Sequence, residues 1–154
     1  MDELLPVTVF LGVFSGYFLA LIAPEELRDG KYYFEVFRNI SMSVFVLMLL
    51  LQISNSYIVS GLVTIIIFYM LYKLQYVGLV YILSGFTLYF IDSVFILTAS
   101  GMLFLTGMCL ASILAVDYEK HEKIIHKKEL LIHTLKNYSW FLVLALLPFF
   151  FSYL

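Results

Sequence analysis

A chain of 154 residues that is 63% hydrophobic and only 13% charged does not have the make-up of a soluble domain. Such domains are roughly 45–50% apolar and about 25% charged, and a body this small has too little interior to hide the excess. The net charge of -2 and the lack of an exposed basic block exclude a nucleic-acid surface, so the expected partner is the lipid bilayer.

The first apolar run, residues 4–23, is long enough to span a bilayer. It lacks the positive start of a secretory signal, carrying Asp2 and Glu3 instead, and reads as an uncleaved membrane helix. Pro24, Glu25 and Glu26 then mark the start of a short second helix, with proline in the first turn and acids at the positive end. Gly30 is the expected stop of that helix. Lys31, Tyr32, Tyr33 and Phe34 have the mixed basic and aromatic character of a membrane–water boundary.

Further spans are predicted at residues 36–53, 57–72, 76–91, 94–116 and 138–154. Those at 57–72 and 76–91 are short, about 16 residues against the usual ~17–25, and either reads equally as a re-entrant or tilted segment. Pro148 is expected to kink the last span. A charged stretch, residues 117–137, precedes it. The fold class is therefore all-α: a polytopic bundle of about six transmembrane helices with a cytoplasmic amphipathic segment, in one domain covering residues 1–154. Tyrosines fit that layout as belts, with Tyr32, Tyr33, Tyr72, Tyr76, Tyr118, Tyr138 and Trp140 inside and Tyr57, Tyr89 and Tyr153 outside.

Charge sorting supports the count. Basic residues gather on the cytoplasmic side, so a correct topology separates them by loop parity. Arg28, Lys31 and Arg38 fall in the first loop region and Lys73 in the third. Lys120, Lys123, Lys127, Lys128 and Lys136 fall in the fifth, which completes the nine Lys and Arg of the chain. The even loops and both ends hold none. Basic loops in the cytoplasm and both termini outside the cell membrane follow. Loop lengths do not repeat between the two halves, which speaks against an inverted repeat.

Few residues suggest chemistry. Gly12, Gly16 and Ala20, and again Gly107, Ala111 and Ala115, place small side chains every fourth position. Such stripes let helices approach closely, either within the chain or across a homo-oligomer seam. Asp92 is the sole acid between Glu35 and Asp117; it reads as a helix cap or rim charge, or else as a carboxylate on an ion or proton pathway. Gln52, Asn55, Ser84, Thr87, Thr98 and Ser100 add little to a polar path, since hydroxyls bond back to their own helix.

In the charged stretch, Glu119, Glu122, His126, Glu129 and His133 fall on one helical face, the spacing of a metal site. The opposite face holds Ile124, Ile125, Leu131, Ile132 and Leu135, the pattern of an amphipathic helix lying on the membrane, with Leu130 as the misfit beside the polar stripe. A chain break near His126–Lys128 would split that face. Cys109 lies in an apolar run as a small hydrophobe. No P-loop, GxSxG, HExxH or CxxCH pattern occurs, and no cofactor is implied. Three functions follow: a non-enzymatic scaffold or subunit of a membrane complex, a small oligomeric transporter or channel with Asp92 in the pathway, or a membrane metalloenzyme using the Glu/His face.

Overall fold

In a computed structural model, residues 4–54, 56–74, 77–122 and 127–152 are described. Their secondary structure is helical: α1 (Leu4–Ile22), α2 (Pro24–Ile53), α3 (Tyr57–Leu74), α4 (Val77–Thr87) with one 3₁₀ turn (Leu88–Phe90), α5 (Ser93–Glu122) and α6 (Lys127–Ser152). Four of them, α1, α2, α5 and α6, are long and apolar enough to cross a membrane. At 18 residues α3 reaches about 27 Å, and α4 with its 3₁₀ turn about 21 Å.

Only Ala23 separates α1 from α2, because Pro24 needs no hydrogen-bond acceptor at the first helical position and fixes φ for the new start. The expected stop at Gly30 does not occur. A mid-helix glycine costs only about 0.5–1 kcal/mol. Here both flanks are held: Leu27 is buried against Tyr17 and Leu130, and Phe45 sits in the main core. The short helix and the following span are one 30-residue helix.

Register fixes the direction of each helix. On α1 and α5, Gly12 faces Phe104 and Gly16 faces Met108, so the two run parallel. On α4 and α6, Gly78 faces Tyr138 and Gly85 faces Ala145, again parallel. Arg28 and Lys31 of α2 meet Glu119 and Asp117 of α5 in the reverse order, so that pair is antiparallel.

Backbones nearly touch in both parallel pairs. A Cβ on Gly12 would lie 2.9 Å from the Phe104 carbonyl carbon, and one on Gly85 2.6 Å from the Phe141 carbonyl oxygen. Glycine is required there to leave room for the partner backbone. The Ser112 hydroxyl spans the first pair, donating to Gly16 O at 3.3 Å and Met108 O at 2.9 Å.

A stack of aromatic rings joins the pairs. Phe141 lies between Tyr81, with centroids 4.7 Å apart, and Phe10 at 6.3 Å, both near parallel. Offset stacking of this kind adds about 0.5–1.5 kcal/mol beyond burial. By contrast α3 packs chiefly on α2 and, among the residues whose burial is described, buries only Ser60 and Leu71; Ile58, Leu62, Ile65 and Ile66 are exposed.

Residues 117–137 do not form one surface helix. Residues 117–122 end α5, and residues 127–137 begin α6. Leu130, the misfit of the helical wheel, is fully buried with Tyr17, Ala20, Leu27 and Ala115, while Ile132 of the expected apolar face is 64% exposed. Burial of Leu130 needs an α6 that stands against the bundle, which a helix lying flat on the membrane cannot supply. The span expected to begin at residue 138 therefore begins, as a helix, at Lys127, and Pro148 lies inside it.

Candidate functional site

Among the described residues charge gathers at one end of the bundle, Asp92 apart. Among the described residues, every Asp, Glu, Lys and Arg except Asp92 lies on the first half of α2, the last turn of α3, the end of α5 or the first turns of α6. On α2, Arg28, Lys31, Glu35 and Arg38 are spaced by three and four and so share a face, which continues into buried Met42 and Phe45. That face turns toward α5. Arg28 pairs with Glu119 at 2.5 Å, and Lys31 pairs with Asp117 and, at 3.8 Å, with Glu35. The Arg28 side chain is 61% exposed, so its pair holds little stability, about 0–1 kcal/mol.

Behind these pairs lies a cavity of about 310 Å³, lined by Lys31, Glu35, Arg38, Gly78, Leu110, Ile113, Leu114, Asp117 and Tyr138. Arg38 is its deepest charge, two turns or about 10 Å further along α2 than Lys31. It is only 9% exposed. Its Nε donates to Asn39 Oδ1 at 3.2 Å. No carboxylate among the described residues forms an ion pair with it. The only hydrogen bond of its guanidinium among the described residues uses Nε, and the side chain lines the cavity. Tyr138, also buried, lends its ring to an edge contact with Tyr81 at 6.1 Å.

Tyr81 sits one turn further along α4 than Gly78. It is fully buried, and its hydroxyl has no hydrogen-bond partner. A second hollow of about 450 Å³ is an apolar groove on the outer side of α2, lined by Tyr33, Phe34, Val36, Phe37, Ile40 and Met108. Its lining suits a hydrocarbon chain and offers no group for chemistry.

The residues singled out by sequence are dispersed. Gly12, Gly16 and Ala20 face α5, Ala111 and Ala115 lie in the same contact, and Gly107 faces Val13 and Tyr81. All six are thus inside the fold. Asp92 is exposed at the opposite end, just before α5, where its carbonyl accepts from Phe95 and Ile96 N–H. Gln52 spans the neighbouring gap, donating to Phe90 O at 2.7 Å and accepting from Asp92 N–H at 3.3 Å. Ser84, Thr87 and Ser100 bond to carbonyls of their own helices. Thr98 is exposed, and Asn55 lies outside the described residues.

The five-residue Glu/His face is split by the break between α5 and α6. Glu119 is spent on Arg28, Glu129 accepts from the Tyr118 hydroxyl at 3.0 Å, and His133 lies 3.2 Å from Asn137. Glu122 ends α5, and His126 lies outside the described residues. Among the described residues no three His, Cys, Asp or Glu side chains gather for a metal. Cys109 is buried.

Arg38, Tyr138 and Gly85 were not singled out by sequence. The signal for Arg38 was present: a cation three residues beyond Glu35 and four before Met42, on the buried stripe of its helix. Read only for topology, it looked like a loop charge.

Fold and site together define an all-α protein with four helices apolar enough to cross a membrane and a charged end built around a buried arginine. No protein-family model, curated protein or solved structure matches the chain.

Proposed function

We propose that the chain is a non-enzymatic, six-span protein of the cell membrane that serves as a scaffold or subunit of a membrane complex, with its charged end in the cytoplasm. Alternating helix directions and basic residues gathered at one end support that topology. The short α3 and α4 then cross where the bilayer thins or their ends reach the headgroups.

The observation that carries the scaffold reading is α3. It hangs on α2 with most of its apolar side chains outside the fold, and Gly61 has no atom near the position of a Cβ. Every helix-interior glycine costs about 0.5–1 kcal/mol relative to alanine. At Gly12, Gly16 and Gly85 close packing within the chain explains the glycine; Gly61, open like Gly101 but on the helix with the most outward apolar side chains, is where another chain would fit. The cytoplasmic ends of α5 and α6 add polar surface for the same partner.

Single cysteines at Ile58, Leu62 and Ile66, in a Cys109→Ala background, test this reading in native membranes. Cross-linking to a second protein or a second copy through α3 is the expected result. Cysteines that react only with a lipid-phase reagent, in a chain that purifies as a monomer without partners, refute it. Orientation is read separately: cysteine at Lys73 or Lys128 is shielded from a membrane-impermeant reagent added to intact cells, and labelling there overturns the topology.

A further inference from the structure

We propose that the cavity around Arg38 binds a phosphate group that enters from the charged end of the bundle. A guanidinium presents paired N–H donors whose fork matches two oxygens of a phosphate or carboxylate. In most folds a buried arginine finds that match in a side-chain carboxylate. Here it does not: Glu35 and Asp117 line the same cavity, but both are held by Lys31 at its mouth. Arg38 is more than nine-tenths buried and lines a space of about 310 Å³, at the small end of ligand pockets.

Tyr138 lines the same cavity as Arg38, and its phenol can donate one hydrogen bond. It supplies a third donor, and a phosphate can offer the arginine fork and the phenol separate oxygens, which two-oxygen carboxylates cannot. The two acids set a limit. They oppose the incoming charge, so binding is modest, and neutralising Glu35 strengthens it. Whether the phosphate belongs to a small solute or to an anionic lipid headgroup is a matter of source, and the cavity's chemistry is the same for both. The inference is independent of what covers α3.

The test uses the full chain in phosphatidylcholine nanodiscs, with the thermal unfolding midpoint as readout, because a ligand that binds only the folded state raises it saturably. One arm titrates inorganic phosphate; the other replaces part of the phosphatidylcholine with phosphatidic acid. A saturable rise in either arm is expected. It should weaken at least tenfold in Arg38→Gln, weaken several-fold in Tyr138→Phe, and tighten in Glu35→Gln. A response to inorganic phosphate assigns a soluble ligand, and one to phosphatidic acid alone assigns a headgroup. No saturable rise in either arm, or the same rise in Arg38→Gln, overturns the proposal. Should Arg38→Gln fail to fold, Glu35→Gln decides: tighter binding supports the site, and unchanged or weaker binding refutes it.

Discussion

Placing a methyl group at Gly12 tests whether α1 and α5 are held at backbone contact. A Cβ there would sit 2.9 Å from the carbonyl carbon of Phe104 and 3.0 Å from its Cα. Ordinary carbon contacts lie near 3.5–4.0 Å, so the helices must part by about 1 Å locally. The obstacle is backbone, which cannot rotate away as a side chain would. Overpacking of this kind costs about 1–3 kcal/mol, against a gain of about 0.5–1 kcal/mol from replacing glycine by alanine in a helix. Gly12→Ala should therefore destabilise by roughly 1–2 kcal/mol. Gly16→Ala should do the same, since its Cβ would lie 2.9 Å from the Met108 carbonyl carbon. One parting of the helices relieves both, so the double variant loses less than the sum. Gly101 is the control: it lies on α5 with nothing within 4 Å, and Gly101→Ala keeps only the propensity gain. Unfolding by SDS titration, followed by circular dichroism, ranks the three. If Gly12→Ala is as stable as Gly101→Ala, the close contact does not exist.

Five further substitutions address the charged end, the centre and the opposite rim. Leu130→Ala should cost about 2–5 kcal/mol and Ile132→Ala close to nothing, because the first is fully buried and the second exposed; the reverse order in the same unfolding assay restores a surface-lying helix. Tyr81→Phe should raise stability by about 1–3 kcal/mol, since the hydroxyl is buried without a partner; a loss would show that it holds a hydrogen bond after all. Gln52→Ala should lower stability by about 1 kcal/mol through its two contacts across the α4–α5 turn, whereas Asp92→Asn should change neither stability nor ion flux in reconstituted vesicles, and altered flux would revive the pathway reading.

The helical character, four of the apolar spans and the fourfold spacing of small residues were legible because they depend on composition and on period. Bilayer lengths and fourfold spacing are local quantities. Gly30 and the charged stretch were misread for a common reason. Both were judged by local propensity, and both were decided by burial contributed from distant segments: Leu27 and Leu130 fill the same small core under Tyr17 and Ala115. No local rule foretells that two leucines about a hundred residues apart in sequence will meet. The helical wheel failed for a related reason, since it assumes one unbroken helix, and the sequence between Glu122 and Lys127 carries neither glycine nor proline to announce that α5 and α6 are separate helices. Arg38 was visible but ambiguous, because a cation near the end of a span reads as a topology marker until the face it shares is known.

The position of the aromatic stack bears on what the cavity does. Gly78 and Tyr138 line the cavity, and one turn further into the bundle on the same two helices lie Tyr81 and Phe141, both fully buried. Their rings stack at 4.7 Å, and Phe10 from α1 closes the far side of Phe141. Leu103 of α5 belongs to the same sealed layer. Beyond that layer the Ser84, Ser100 and Thr106 hydroxyls turn back onto their own helices. A solute that reached Arg38 would have to displace three stacked rings to continue, at the cost of the burial that joins the two helix pairs. A pocket open to one side and closed by the core of the fold favours holding a ligand over passing it. It also explains how a buried cation is tolerated: the charge sits above the seal, within reach of water and of an anion from the same side, while the apolar layer below keeps the bundle together.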